Sequence, residues 1–188
     1  MTLLEMKKKI LRMIEEVSTG NTKLTDDPDI EAKLNDIINQ VMFEVARMKK
    51  IPARIVMDIT ADNLMFDLNT LSNFYQLDTM RFVDEKKEPQ EVFIFGNTVE
   101  FPVEGTATFY YFKYPERITD DTKDTEYTFE LSDDALEVLP YGAAADLLKS
   151  DVSNNYGQIY SQRYETMLQR LDPRTSMGSV FIDGGIEI

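Results

Sequence analysis

The chain has 188 residues, of which 43% are hydrophobic and 29% charged, a composition typical of one soluble globular domain with a sizeable core. It contains no cysteine and no histidine. Disulfides, thiolate zinc sites, cysteine nucleophiles, serine–histidine triads and HExxH metal sites are therefore excluded. We predict a protein that is not an enzyme and binds no metal or cofactor, although chemistry by carboxylates alone stays open.

The charge balance bounds the partners. Acidic residues outnumber basic ones 34 to 20, which gives a net charge of −14. Binding through phosphate contacts depends on Lys and Arg displacing counterions, so nucleic acid is not expected as a bound ligand. A solvated acidic surface is the simplest interpretation, and a surface that must not adhere to passing DNA is a second. No apolar run reaches the roughly 20 residues of a membrane span, and no secretory signal is expected, so we predict use inside a cell.

Two helices are predicted at the start of the chain. Apolar residues at spacings of three and four indicate an amphipathic helix from Leu3 to about Val17. A second helix is expected to begin with an Asp cap and Pro28 at its first position, and to end before Pro52. The acids at 26–29 fit this cap better than a calcium loop, because the Gly and bidentate Glu of an EF-hand are missing. The predicted buried stripe is Ile30, Leu34, Ile37, Val41, Val45 and Met48.

The spacing of apolar residues changes near Arg54 from a period of about 3.6 residues to a period of 2, which predicts strands. The clearest signal is a hairpin in which Gly96-Asn97 joins Glu91–Phe95 to Thr98–Phe101, since Gly-Asn suits a two-residue primed turn. A further strand is predicted over Thr106–Tyr114. Shorter strands are expected around residues 55–60, 64–68, 80–83 and 127–131. In the hairpin register one face is shared by Val92, Ile94, Val99 and Phe101.

Helices are predicted to return after Ser132. Pro140 is expected to restart the first of them, because a mid-helix proline costs about 3 kcal/mol. The small residues at 142–145 would let another backbone approach closely. The last helix is predicted to open at Ser150-Asp151 and to stop at Pro173. Its stripe, interpreted as a core face rather than a ligand platform, is Val152, Tyr156, Tyr160, Tyr164, Met167, Leu168 and Leu171.

The last fifteen residues, 174–188, combine three glycines with alternating apolar side chains. A disordered tail is one interpretation. Disordered tails are usually poor in Phe and Ile, so we favour an extended arm that docks on a neighbouring subunit by strand addition. The candidate interface residues are Met177, Val180, Phe181, Ile182, Ile186 and Ile188.

The predicted fold class is α+β in a single domain. Residues 1–53 supply a helix pair, 54–131 an inserted, mostly antiparallel β lobe, 132–173 a second helix pair and 174–188 the arm. The N- and C-terminal helices are expected to form one helical bundle, with Leu34, Ile37, Val41, Tyr160 and Leu168 buried together.

Two segments resemble a known family. One is Asp26-Asp27-Pro28-Asp29-Ile30 with its helix pair, and the other is the capped, Ala-rich stretch from Leu131 to Leu148 followed by a Tyr-rich helix ending at Leu171. Both are similar to head-to-tail connector (adaptor) proteins of tailed bacteriophages. The resemblance covers roughly two-thirds of the chain and leaves out the β lobe.

The resemblance implies a structural virion protein of the phage neck, assembled in the host cytoplasm. Such proteins usually form rings of twelve copies that bind the portal protein on one side and a tail or stopper protein on the other. DNA passes through the lumen without specific binding. The acidic charge would then keep DNA from adhering to the channel wall.

Two other classes compete with this interpretation. An acidic DNA mimic that inhibits a DNA-processing enzyme would explain the net charge of −14, but not the apolar arm. A hydrolase that uses two carboxylates would need a pair of acids in an apolar setting, and no such pair stands out.

Overall fold

The computed structural model describes residues 1–18, 23–150 and 155–171, which contain four α-helices and six β-strands. The helices are α1 Leu3–Met13, α2 Pro28–Met48, α3 Asp133–Leu147 and α4 Tyr156–Arg170. The strands are β1 Ile51–Ile59, β2 Met65–Asp67, β3 Phe74–Asp84, β4 Phe93–Phe95, β5 Thr98–Glu100 and β6 Gly105–Lys113. Short 3-10 turns occupy Leu68–Thr70 and Leu148–Ser150. The predicted α+β class is therefore confirmed.

The chain divides into two compact units. Of the described residues, the helical unit contains Met1–Ile51 and the chain from Tyr114 to Leu171, and the β unit is Pro52–Lys113. Residues 114–131, which the sequence analysis assigned to the β lobe, belong to the helical unit. Of the strand expected over 127–131, one isolated bridge between Thr128 and Thr2 is found.

Capping residues fix the starts of the first two helices. Thr2 forms a capping box with Glu5, in which each side chain bonds the other's backbone N–H. The Asp27 carboxylate accepts from the N–H groups of Asp29 and Ile30, and Pro28 takes the first helical position. The cap predicted for α2 is confirmed, and the calcium-loop alternative is not needed to explain its acids.

The end of α1 differs from the prediction. The helix stops at Met13, and Glu15 adopts φ +62° without being a glycine. The N–H of Glu16 bonds Leu11 O at 3.0 Å and the N–H of Glu15 bonds Arg12 O at 3.4 Å, which is the Schellman pattern. Val17, predicted inside this helix, lies beyond its end and is exposed.

Helix α3 is continuous through Pro140, so the predicted restart at this proline is wrong. The helix packs against α1, α2 and α4 and buries most of its residues. Burial of apolar area stabilises by roughly 25 cal/mol per Å², and several enclosed side chains outweigh the roughly 3 kcal/mol that a mid-helix proline costs. Tertiary packing has overridden local propensity here.

Gly142 is the point where three helices come closest. A Cβ at this position would lie 2.7 Å from Val41 Cγ1 on α2 and 2.8 Å from Tyr164 Cε2 on α4. The small residues of α3 therefore admit neighbours from the same chain. The five residues predicted to be buried together all belong to this core, with Ile37, Tyr160 and Leu168 partly buried. The buried stripe of α2 also differs in detail, because Ile38 and Met42 are enclosed while Met48 is exposed.

Residues 114–131 are held to the helices by polar contacts. The buried Asn39 amide donates to Ile118 O at 2.8 Å and accepts from Ile118 N at 2.9 Å, as a strand neighbour would. The N–H of Leu3 bonds Tyr127 O, so the first turn of α1 is satisfied by this segment. Lys7 donates to both carboxylate oxygens of Asp124, at 2.8 and 2.9 Å.

The β unit contains two three-stranded sheets, in the orders β1-β6-β3 and β2-β5-β4. Strands β3 and β6 are antiparallel, with Phe82 opposite Ala107 and Met80 opposite Phe109. Strand β3 is longer than the predicted 80–83 because two register shifts let it follow β6 along its length. Four of the nine buried residues in the core of this unit are aromatic, and Phe101 lies against both Phe82 and Phe109.

The predicted hairpin is confirmed. Phe95 pairs with Thr98 across the two-residue turn, and Gly96 has φ +61°, as a type II′ turn requires at its first central position. The turn is anchored to the neighbouring 3-10 segment, because Asn97 O accepts from Leu68 N at 2.8 Å and its side-chain amide donates to Asn69 at 2.9 Å.

Candidate protein-interaction surfaces

The interface residues predicted from the sequence are Met177, Val180, Phe181, Ile182, Ile186 and Ile188. All six lie outside the described residues, so the arm stays a prediction. Within the described parts of the chain, the features that could serve an interaction are exposed apolar side chains, acidic side chains beside them and a cavity.

The most exposed large apolar side chains lie on one face of the β2-β5-β4 sheet. Across the strands, Met65 faces Glu100 and Glu100 faces Phe93. In the adjacent row, two residues along each strand, Thr98 lies between Asp67 and Phe95. Cross-strand partners and residues two apart point to the same side of a sheet, so these six residues form one face. We call it the hairpin face.

The three apolar residues of the hairpin face are largely in solvent. Phe95 is 90% exposed, Phe93 69% and Met65 60%. The opposite side of the same sheet carries the row Phe66–Val99–Ile94, in which Val99 is fully buried. Phe66 packs against Phe109 at a ring-centroid distance of 5.2 Å. One side of this sheet thus contributes Val99 and Phe66 to the core of the β unit, with Ile94 on that side 48% exposed, and the other side faces outward.

The charge of the hairpin face has one sign. Glu100 lies between Met65 and Phe93, and Asp67 is the other ionisable residue of the face. The Asp67 carboxylate accepts from the backbone N–H and side-chain amide of Asn69, both at 2.9 Å. Among the described residues, no ion pair neutralises either acid within 4 Å. The face therefore combines exposed aromatic area with negative charge.

The tyrosines of α4 serve the helical core. The hydroxyl of Tyr164 donates to a Glu44 carboxylate oxygen at 2.8 Å, and that of Tyr160 donates to Met13 O at 2.9 Å. Burial, followed by the hydrogen bond and negative charge of Glu44, raises the pKa of Tyr164 well above its usual range. Burial also raises the pKa of Tyr160. Both hydroxyls are thus protonated donors near neutral pH rather than candidate bases.

Helix α4 begins later than predicted, at Tyr156 rather than Ser150. Tyr156 and Ile159 are exposed on it. Beside its first turn lies an open cavity of about 200 Å³. The cavity is lined by Arg12, Met13, Ile14, Glu15, Leu148, Tyr156 and Tyr160.

The described residues offer neither a metal site built from acidic side chains nor a helix that could span a membrane. They contain no group of three or more Asp or Glu side chains placed to hold an ion. None of their helices is long and apolar enough to cross a bilayer. Many acids instead have local structural partners, as at the caps of α1 and α2.

Sequence reasoning placed the hairpin but missed its outer face. The alternation correctly set Ile94 and Val99 on one face, where Val99 is fully buried and Ile94 is 48% exposed. The same alternation places Phe93 and Phe95 on the other side of the hairpin. Two aromatic residues on the side away from Val99 were the signal that could have revealed this surface. What covers a sheet depends on the rest of the fold, so period alone could not show that these rings are in water.

Comparisons with known proteins give one family. The family model described as SU10 adaptor protein matches residues 1–182. No curated protein matches the chain. The matched range includes both the helical unit and the β unit.

Proposed function

Because the chain belongs to the SU10 adaptor protein family, a family of phage head-tail adaptors, and is thus a structural phage protein, we propose that it forms a ring in the phage neck. The ring joins the portal to the tail and lines the DNA channel. The match over residues 1–182 carries this proposal, since it spans nearly the whole chain. The helical and β units act together as one connector-like domain, and the protein is not an enzyme and needs no cofactor.

The proposed ring places the helical units of twelve copies side by side. The contacts of α3 with α1, α2 and α4 support this role, because they make a preformed body that could pack without reorganising. The partly buried Lys7–Asp124 pair and the Asn39–Ile118 bonds also tie distant segments of the unit together. A rigid body of this kind suits a closed, symmetric assembly.

The net charge of −14 supports a channel that DNA passes without adhering. Like charges repel within about 8 Å at physiological salt, so an acidic wall opposes contact with phosphates. The partners in this proposal are the portal protein, copies of the same chain, and a tail or stopper protein. Assembly takes place in the host cytoplasm.

We assign the docking of a neighbouring subunit to the arm at 174–188. Phe181 and Ile182 precede Gly184-Gly185, and Ile186 and Ile188 follow with Glu187 between them, a pattern that suits a strand added to another sheet edge. Met177 and Val180 extend the apolar set. Ordering of the arm on its partner would cost free energy at the moment of binding. The arm should therefore affect ring assembly and leave the stability of the monomer unchanged.

The test is deletion of residues 177–188 from the full chain. We expect an unchanged thermal midpoint, because the described helices end at Arg170, together with loss of rings on purified portal protein in electron micrographs. A Phe181→Ser/Ile182→Ser variant should reproduce the loss of rings, while Asp183→Asn should not. Normal rings from the truncated chain would contradict the role assigned to the arm. An absence of rings from the intact chain would contradict the proposed function.

A further inference from the structure

The hairpin face, defined above by Met65, Phe93, Phe95 and their acidic neighbours, has the properties of a binding surface without a partner. Large exposed apolar groups that are contiguous usually mark an interaction site. Aromatic residues and Met are enriched in the cores of protein interfaces. Phe95 is 90% exposed, while on the opposite side of the sheet Val99 is fully buried and Ile94 is 48% exposed, so core stability does not explain the ring.

The hairpin is also preorganised. Asn97 is fixed to Leu68 and Asn69, and the N–H of Phe101 bonds Leu64 O at 2.8 Å. These bonds tie both the turn and the far end of β5 to the preceding segment. A surface held in this way loses little conformational freedom when a partner binds, which favours affinity.

The charge of the face selects among occupants. Glu100 lies between the two apolar ends of its row, so two hairpin faces packed on each other would bring carboxylates together. Nucleic acid and anionic lipid headgroups carry the same sign and are disfavoured for the same reason. A protein with an apolar groove bordered by Lys or Arg would cover Phe93 and Phe95 and neutralise Glu100.

We propose that the hairpin face is the docking site for a different protein chain, one that presents an apolar groove with basic side chains at its border. The contact is made by side chains, since β4 offers an edge of only three residues. The proposed docking site depends on neither the ring nor the arm. It assigns the β unit a binding role.

The test introduces the photocrosslinker p-benzoylphenylalanine at Phe95 of the full-length chain, in cells that produce phage particles. The control places it at Val56, an apolar residue that is 50% exposed on β1. Incorporation of the chain into particles is measured first, because a chain that is absent from particles contradicts the proposed function separately from the docking site. If the particles lack the chain, crosslinks are analysed in the intact infected cells. We expect position 95 to crosslink a different protein, at a segment that carries Lys or Arg beside apolar residues.

A synthetic peptide of the crosslinked segment then provides the affinity probe. A Phe93→Ser/Phe95→Ser variant should bind it about thirtyfold more weakly, the loss typical of interface hot spots, and Val56→Ser should bind normally. Glu100→Lys should weaken binding and remove part of its salt dependence. Crosslinks mainly to another copy of this chain, to lipid or to DNA would overturn the proposal. So would a crosslink yield at position 95 no higher than at 56.

Discussion

In the helical unit, large apolar side chains such as Leu139 and Met42 are fully enclosed, whereas in the β unit Phe93, Phe95 and Met65 lie on the surface. The polar contacts differ as well. In the helical unit, Lys7, Asn39 and Tyr164 make bonds that span 117, 79 and 120 residues of sequence, while the Asn97–Asn69 bond that fixes the hairpin turn spans 28.

The difference separates two uses of apolar residues. Enclosed side chains contribute to the free energy of unfolding, and exposed ones on a fixed hairpin contribute only when something covers them. The helical unit is thus organised for stability and the outer side of the β unit for contact. Three pairs of variants would break or sharpen this contrast.

The largest expected effect comes from truncating matched apolar residues in the two units. Leu139→Ala should lower the free energy of unfolding by about 2–5 kcal/mol, because Leu139 is fully buried and the change leaves a cavity. Phe95→Ala removes a larger side chain but should change stability by less than about 0.5 kcal/mol, because the ring is already in water. Denaturant unfolding followed by circular dichroism measures both. A large loss of stability in Phe95→Ala would contradict the contrast drawn between the two units.

A smaller effect is expected from the ion pairs. Lys7→Leu leaves Asp124 without its partner, and we expect a loss of about 2 kcal/mol, less than for a fully buried pair because the Asp124 side chain is 27% exposed. The matched control is Lys123→Leu, whose pair with Glu126 is solvent-exposed and should not matter measurably. Thermal or urea denaturation at low and high salt compares the two. Equal losses would show that the long-range pair has no special role in the helical unit.

The smallest effect concerns Tyr164 and pH. Its pKa is raised in the folded protein, so near pH 10 the unfolded chain releases this proton while the folded chain retains it. The stability that the neutral hydroxyl contributes is complete below pH 10 and declines as the pH rises further. Tyr164→Phe should be less stable by about 1 kcal/mol at pH 7, with a difference that shrinks in alkaline solution.

Denaturant titrations from pH 7 to pH 11 measure that difference. Tyr156→Phe, a change of an exposed ring on the same helix, serves as the control. A gap between wild type and Tyr164→Phe that stays constant with pH would contradict the titration of this hydroxyl.

Local signals in the sequence were sufficient where the structure is locally determined. The Asp27–Pro28 cap and the Gly96–Asn97 turn depend on residues within one turn of each other, and both predictions are confirmed. The α+β class follows from the change of period, which depends only on neighbouring residues. By contrast, Pro140 sits inside α3 because α1, α2 and α4 enclose that helix, and no local pattern reports such packing.

Several features of the fold and the exposure of the hairpin face could not be predicted from the sequence. The end of α1 at Met13 uses Glu15 in the left-handed region, where a glycine would have given the signal. The membership of residues 114–131 in the helical unit depends on partners such as Asn39, distant in sequence. The outward position of Phe93 and Phe95 is likewise a property of how the sheets pack. The predicted arm residues remain a prediction.

The discontinuity of the helical unit has a consequence for biosynthesis. Residues 52–113 form one uninterrupted stretch, so the β unit can fold as soon as it leaves the ribosome, in keeping with domain-wise folding during translation. Helix α1, made first, must wait for Asp124 and for Tyr127, whose carbonyl bonds Leu3. Its apolar face has no complete partner until α3 is synthesised. Helix α1 is therefore among the last elements to be protected, although it is synthesised before the rest of its unit.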